Sequence, residues 1–179
     1  MKILVHICCA ICFAYPHKRL KEEGHEVVGY WYNPNIHPYM EYEARMDAVR
    51  KYAELENVEI IYDKYDFIDY LKMQLKNIER PERCINCYKY RLKRVAKYAR
   101  ENGFDAFSTT LLVSHHQYHN EIKKVGEALE KEYGIKFYYE DFREGWKQGK
   151  EIAKVYSLYS QKYCGCLISE WERFGKKSI

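Results

Sequence analysis

Seven cysteines stand in three tight groups, Cys8-Cys9 with Cys12, Cys84 with Cys87, and Cys164 with Cys166, and none is left over. Thiolate sulfur is a soft ligand, suited to zinc or to iron–sulfur centres. Either centre takes four thiolates. Cys84, Cys87, Cys164 and Cys166 would therefore complete one zinc site and leave the first group idle. The surplus ranks an iron–sulfur cluster, with a second metal site beside it, above zinc. One cysteine in a buried strand is an ordinary small hydrophobe. It is the grouping that argues for ligation.

The surroundings of each group agree with that chemistry. The run His6-Ile7-Cys8-Cys9-Ala10-Ile11-Cys12 meets no glycine before Gly24, so it lacks the open backbone with which a nucleotide loop approaches phosphates. Cys84-x-x-Cys87 falls at a predicted helix start, where both sulfurs share a face and the helix dipole favours thiolates. Gly165 lets the backbone bend between Cys164 and Cys166. Arg91 and Arg94 continue the face of Cys84 and Cys87, which predicts cations that steer a polyanion toward the centre. Tyrosines at 30, 32, 39, 42, 88, 90 and 98 interleave with this basic surface, as suits unstacked bases, although most of the 19 tyrosines are expected to fill the core. Asp141 is a candidate hard-oxygen ligand or proton donor, or a helix cap. His115, His116 and His119 lack the glutamate of a zinc-binding HExxH pair and read as substrate-loop or surface groups, with His119 a candidate proton donor.

Such groups need a frame. Short apolar runs at 2–7, 26–32, 58–62, 105–109 and 136–140 alternate with helical stretches at 12–23, 38–55, 67–78, 84–102 and 118–133. That alternation predicts an α/β fold, a Rossmann-like parallel sheet with helices on both faces and sites at the carboxyl ends of the strands. The 179 residues fit one domain, 1–179, whose helical segment 151–179 packs back to supply Cys164-Gly165-Cys166. A chain of this size buries roughly 70% of its surface without disulfides, and an odd cysteine count argues for a reducing compartment. With 47% hydrophobic and 31% charged residues, disordered and collagenous classes are excluded. The net charge of +4 permits a nucleic-acid partner without requiring one. The apolar run from Ile3 to Tyr15 has no small-x-small cleavage site and carries three cysteines and a histidine, so it reads as a buried strand and loop. No stretch approaches a membrane span, and the expected location is cytoplasmic.

The segments HICCAIC (6–12), NPNIHPYMEYEAR (33–45), RCINCYKYRL (83–92), STTLLVS (108–114), DFRE (141–144) and YCGC (163–166) follow one another over nearly the whole chain. In that order they resemble the cobalamin-independent epoxyqueuosine reductase family. Two departures stand out: Ile11 takes a position usually held by proline, and His115-His116 replaces a more usual Pro-Tyr. The resemblance implies a fold similar to the adenine-nucleotide α-hydrolase superfamily. It implies a [4Fe–4S] cluster and an adjacent mononuclear metal, expected to be iron, held by two cysteines and an aspartate, here Asp141. The cysteines are not partitioned between the two centres by sequence. The implied substrate is tRNA carrying epoxyqueuosine in the wobble position, with Asn33, Asn35, Tyr42, Arg45, Arg91 and Arg94 as expected substrate or tRNA contacts. An external low-potential electron donor is implied too, because removing an epoxide oxygen takes two electrons and two protons and no side chain supplies the electrons. The rival readings are an ATP-dependent tRNA-thiolating relative, weakened by the glycine-free first loop, and a non-catalytic zinc-binding RNA module.

Overall fold

The computed structural model describes residues 1–175. Five strands, β1 (Lys2–His6), β2 (Glu26–Trp31), β3 (Ile60–Tyr62), β4 (Ala106–Thr109) and β5 (Lys136–Phe137), form one parallel sheet in the order β3-β2-β1-β4-β5. A central parallel strand is covered on both faces, so the middle of β1 must be apolar; Ile3, Leu4 and Val5 are each 0% exposed. Seven α-helices cover the sheet: α1 (Ala10–Glu22), α2 (Tyr39–Glu56), α3 (Phe67–Gln74), α4 (Glu82–Glu101), α5 (His119–Tyr133), α6 (Trp146–Val155) and α7 (Leu167–Phe174). α1 packs on α2 and α6, whereas α4 packs on α3 and α5, giving the two helical layers. The crossover from β3 to β4 reverses the strand order beside β1. The resulting crevice, at the carboxyl ends of β1 and β4, is where open α/β sheets place their ligands.

Several boundaries depart from the sequence-based expectation, among them the end of α3, at Gln74 rather than residue 78. α1 starts at Ala10 rather than at residue 12, because Cys9 serves as its cap and its sulfur accepts the Cys12 N–H at 3.3 Å. β5 ends at Phe137; only the Tyr138 N–H still reaches β4, at the Phe107 carbonyl. The tail helix begins at Trp146, not near 151, and the break around Cys164-Gly165-Cys166 runs from 156 to 166. Gly149 weakens the 146–155 segment as a helix by propensity. Packing overrides that, since a Cβ at Gly149 would sit 2.7 Å from the Ile11 carbonyl oxygen and only glycine lets α6 lie so close to α1. No helix among the described residues is long and apolar enough to cross a membrane.

The α1–α2 contact carries a pH-dependent term. His17 is 1% exposed, stacks on Phe13 at 5.3 Å and has Nδ1 2.9 Å from the Tyr52 hydroxyl. Burial, reinforced by Lys21, lowers its pKa to about 4. A depressed folded pKa gives stability that is complete above the unfolded value of 6.5 and is lost as pH falls toward 4. The slope from this group is at most roughly 1.4 kcal/mol per pH unit. Urea midpoints of metal-free protein should fall over that window, and His17→Phe should remove about one proton's share of the slope.

Candidate metal centre

The first thiol group occupies the switch-point crevice. Cys8 follows β1, Cys9 caps α1 and Cys12 lies in its first turn, and the three sulfurs lie within 4.8 Å of one another. Thr110, just past β4, ties the strands together: its hydroxyl accepts the Cys8 N–H at 3.0 Å and donates to the Cys8 sulfur at 3.2 Å. The side-chain amide of Gln161 donates to the Cys9 sulfur. Hydrogen bonds from Cys12 and Cys9 hold the Cys8 thiol well below its ordinary pKa, with Thr110 and Arg91 adding to the effect. Burial pushes Cys9 up, and donation to Cys8 pushes Cys12 up. Within the trio, Cys8 is thus the sulfur whose charge the surroundings favour most.

The remaining four cysteines, Cys84, Cys87, Cys164 and Cys166, line one pocket together with Tyr70, Arg83, Arg91 and Gln117. Cys84 and Cys87 come from the first turns of α4, and Cys166 caps α7. Burial, with Cys164 nearby, raises the Cys84 thiol to about 12, and burial raises Cys164. These thiols are protonated at neutral pH, so metal loading must release protons and is favoured by raising pH.

Arg91 joins the two groups. It is 2% exposed; its Nη1 lies 3.8 Å from the Cys87 sulfur and its Nη2 donates to Asn33 Oδ1 at 2.8 Å. Burial opposes its charge, but the sulfurs of Cys87, Cys8 and Cys164 outweigh this and raise its pKa. Its Nε is buried with no partner. A buried guanidinium beside thiols instead of a carboxylate needs an anionic counterpart, and thiolates on a metal centre provide one. The donor set thus fits soft-metal or iron–sulfur ligation.

Most residues expected to contact substrate are placed inside the protein. Asn33 is 0% exposed, and its side-chain N–H donates to the Ile7 carbonyl at 2.7 Å. Asn35 is buried against Gly165, whose φ of +134° only glycine adopts readily. Tyr42 is buried among Trp31, Tyr39 and Tyr65. Arg45 is buried too; Nη1 and Nη2 hold the Cys164 and Tyr163 carbonyls, each at 3.0 Å, and Nε meets Glu41 at 2.7 Å. The solvent-facing cationic stripe expected from helix spacing is not what forms. Arg91 points into the thiol sites, and Arg94 is committed to Asp63 at 2.6 Å.

Arg45 therefore reads as the clamp of the Cys164 loop. Arg45→Lys keeps the charge but loses the fork. It should destabilise the protein by about 2 kcal/mol, from the lost hydrogen bonds to the Cys164 and Tyr163 carbonyls. Iron content per chain should fall by half or more, measured after reconstitution alongside urea unfolding.

Asp141 caps a 3-10 turn, accepting the Arg143 N–H at 3.1 Å, and its carboxylate is paired with the Arg143 guanidinium. Hydrogen bonding from Arg143 holds its pKa at about 2, so it is a permanent carboxylate and no proton donor. The structure does not bring it into the group formed by Cys8, Cys9 and Cys12. His119 is buried at the start of α5 with Nε2 2.9 Å from the Tyr139 hydroxyl; burial lowers its pKa, opposed by Asp141. Sequence reasoning missed Thr110, Gln117 and Gln161, which touch sulfur only through tertiary contacts. It also missed His6, whose ring bridges Thr109 Oγ1 at 3.0 Å and the Tyr32 carbonyl at 3.2 Å. Thr110, inside the segment 108–114, and His6, inside 6–12, carried a sequence signal; Gln117 and Gln161 carried none.

A doubly wound parallel sheet whose switch-point crevice holds thiols, where nucleotide-binding folds of this kind place a glycine loop, defines a cysteine-centred member of the Rossmann-like α/β class. A solved structure described as a predicted subunit of a tRNA methyltransferase from Methanocaldococcus jannaschii shares this fold, with a TM-score of 0.60, 12% identity, and coverage of 86% of this chain and 74% of that one. The chain belongs to the epoxyqueuosine reductase QueH family, whose model matches residues 3–172. The epoxyqueuosine reductase of Dehalococcoides mccartyi is 43% identical over 176 residues, covering 98% of this chain and 96% of that protein. The Thermotoga maritima protein of the same name is 35% identical, covering 96% and 91%.

Proposed function

We propose that this chain is an epoxyqueuosine reductase acting on tRNA. Two electrons and two protons enter, both C–O bonds of the epoxide break, the oxygen leaves as water, and the alkene of queuosine remains. The observation that carries the reading is the division of seven thiols into a trio within reach of one ion and a four-thiol pocket, with the buried Arg91 between them. Sulfurs on one tetrahedral ion lie about 3.8 Å apart, given metal–sulfur bonds of about 2.3 Å.

In this reading Cys84, Cys87, Cys164 and Cys166 would hold the [4Fe–4S] cluster and the Cys8–Cys9–Cys12 trio the second metal, iron by expectation; Asp141, paired with Arg143 outside the trio, would join as the expected carboxylate ligand only by leaving that pair. Bound there, the two centres supply low-potential electrons one at a time and Lewis acidity toward the epoxide oxygen. Arg91 offsets the negative charge of the ligated thiolates. Asn33, Asn35 and Arg45 position the two cysteine-bearing loops, His6 fixes the ends of β1 and β4, and His119 with Tyr139 provides a route for one proton. An external low-potential protein or reductant donates the electrons.

Anaerobically purified protein should be brown, contain acid-labile sulfide and give an electron paramagnetic resonance signal on reduction. With dithionite it should convert epoxyqueuosine to queuosine in tRNA, read by nucleoside mass spectrometry. A colourless protein with one zinc and no sulfide would end this reading in favour of the zinc-binding module, and ATP binding by calorimetry would favour the thiolation reading.

A further inference from the structure

Gln117 touches the most exposed of the seven thiols, and its amide orientation is fixed by its neighbours. The backbone N–H of Tyr118 donates to the Tyr88 hydroxyl at 3.2 Å. That hydroxyl spends its only proton on Gln117 Oε1, at 2.7 Å. With the carbonyl end held there, the amide nitrogen must face the other way, and it donates to the Cys164 sulfur at 3.5 Å. Tyr88 is 2% exposed and anchored in α4, the helix that carries Cys84 and Cys87. The relay therefore hangs from the same rigid element as two of the other thiols in the pocket.

We infer that Gln117 is a positioning residue that tunes the metal centre, delivering an N–H to Cys164 through a chain polarised by Tyr118 and Tyr88. The inference rests on the proposed function, in which Cys164 is a cluster ligand. A donor aimed at a ligand sulfur stabilises whichever state holds more negative charge there, which is the reduced one. Hydrogen bonds to the sulfurs are among the factors that set a cluster's potential. Nothing in a packing role would depend on the amide's polarity. Glutamate is nearly isosteric with glutamine but presents an acceptor to the sulfur.

The test is a redox titration of the reconstituted full-length protein at pH 8, followed by the resonance signal of the reduced cluster. Gln117→Leu should shift the one-electron equilibrium about tenfold toward the oxidised form, equivalent to 59 mV. Gln117→Glu should shift it further in the same direction, and Tyr88→Phe, which frees the amide to turn, should fall between Gln117→Leu and wild type. Iron and sulfide content is determined for each variant, and Gln117→Glu and Tyr88→Phe carry the test if the leucine variant fails to hold the cluster. A Gln117→Glu potential equal to wild type overturns the proposal, because shape alone is then what matters. A wild-type protein with no acid-labile sulfide overturns the cluster reading, and this proposal falls with it. A wild-type cluster indifferent to all three substitutions overturns only the role of Gln117.

Discussion

Cys87→Ser should yield a colourless protein with little acid-labile sulfide and at least 100-fold less reductase activity, whereas Cys8→Ser should keep the sulfide and lose about one metal ion per chain together with activity. The contrast follows from the grouping of the sulfurs. Cys87 shares its pocket with Cys84, Cys164 and Cys166, and a centre of four thiolates has no spare ligand there. A serine hydroxyl is not a thiolate at neutral pH and is a poor soft-metal ligand. Cys8 belongs to the trio whose sulfurs lie within 4.8 Å, a spacing for a single ion. Both changes are nearly isosteric, so the metal-free variants should unfold within about 1 kcal/mol of the parent. Elemental analysis with sulfide assay reads the partition directly. Retention of full iron and sulfide by Cys87→Ser would refute the assignment of the pocket.

Arg91→Met is the second large effect, and its size should differ between the two states of the protein. In the metal-free state the sulfurs of Cys87, Cys8 and Cys164 already offset the desolvation of the buried guanidinium. Methionine removes the charge and its desolvation together, so these two contributions largely cancel. Loss of the Asn33 hydrogen bond costs about 1 kcal/mol. Urea unfolding of the metal-free variant should therefore show a loss of about 1 kcal/mol. In the loaded state the thiolates lose their buried counter-charge, and iron occupancy after reconstitution should fall at least tenfold. Arg91→Lys should recover part of it, because a point charge survives without the geometry that reaches Asn33. Equal destabilisation of both states would mean that Arg91 is only a structural residue.

The buried arginines show where sequence reasoning reached its limit. Helix spacing put Arg91 and Arg94 on the face of Cys84 and Cys87 and implied that the cations lie outside, available to RNA. The structure turns Arg91 inward and pairs Arg94, whose side chain stays 40% exposed, with Asp63. α4 packs between α3 and α5 with its first turns over the crevice, so residues continuing from the thiols enter the protein before they reach solvent. Arg45 and the two asparagines belong to a segment whose resemblance pointed to substrate contact, yet their hydrogen bonds go to the backbone and side chains that hold the cysteine loops. For Asp141, the sequence alternative of a capping aspartate is the role seen in its contacts, and its carboxylate remains available in charge to a metal.

By itself, the sequence determined the class of fold and the kind of chemistry. Apolar runs alternating with helices dictate a parallel sheet, because a strand buried on both faces must be apolar and its crossover must be helical. Cysteine grouping and the missing glycines mark the first loop as a source of soft ligands rather than a phosphate cradle. These are local properties, carried by spacing along the chain. Only the tertiary structure decided how the seven thiols divide, because the four-thiol pocket joins residues about 80 positions apart, brought together where α4 and the loop before α7 converge. It also decided that Arg91 is buried counter-charge and that Gln117 faces sulfur. Hydrogen-bond direction and burial are properties of which side chains meet, and no period in the sequence encodes a meeting between distant segments.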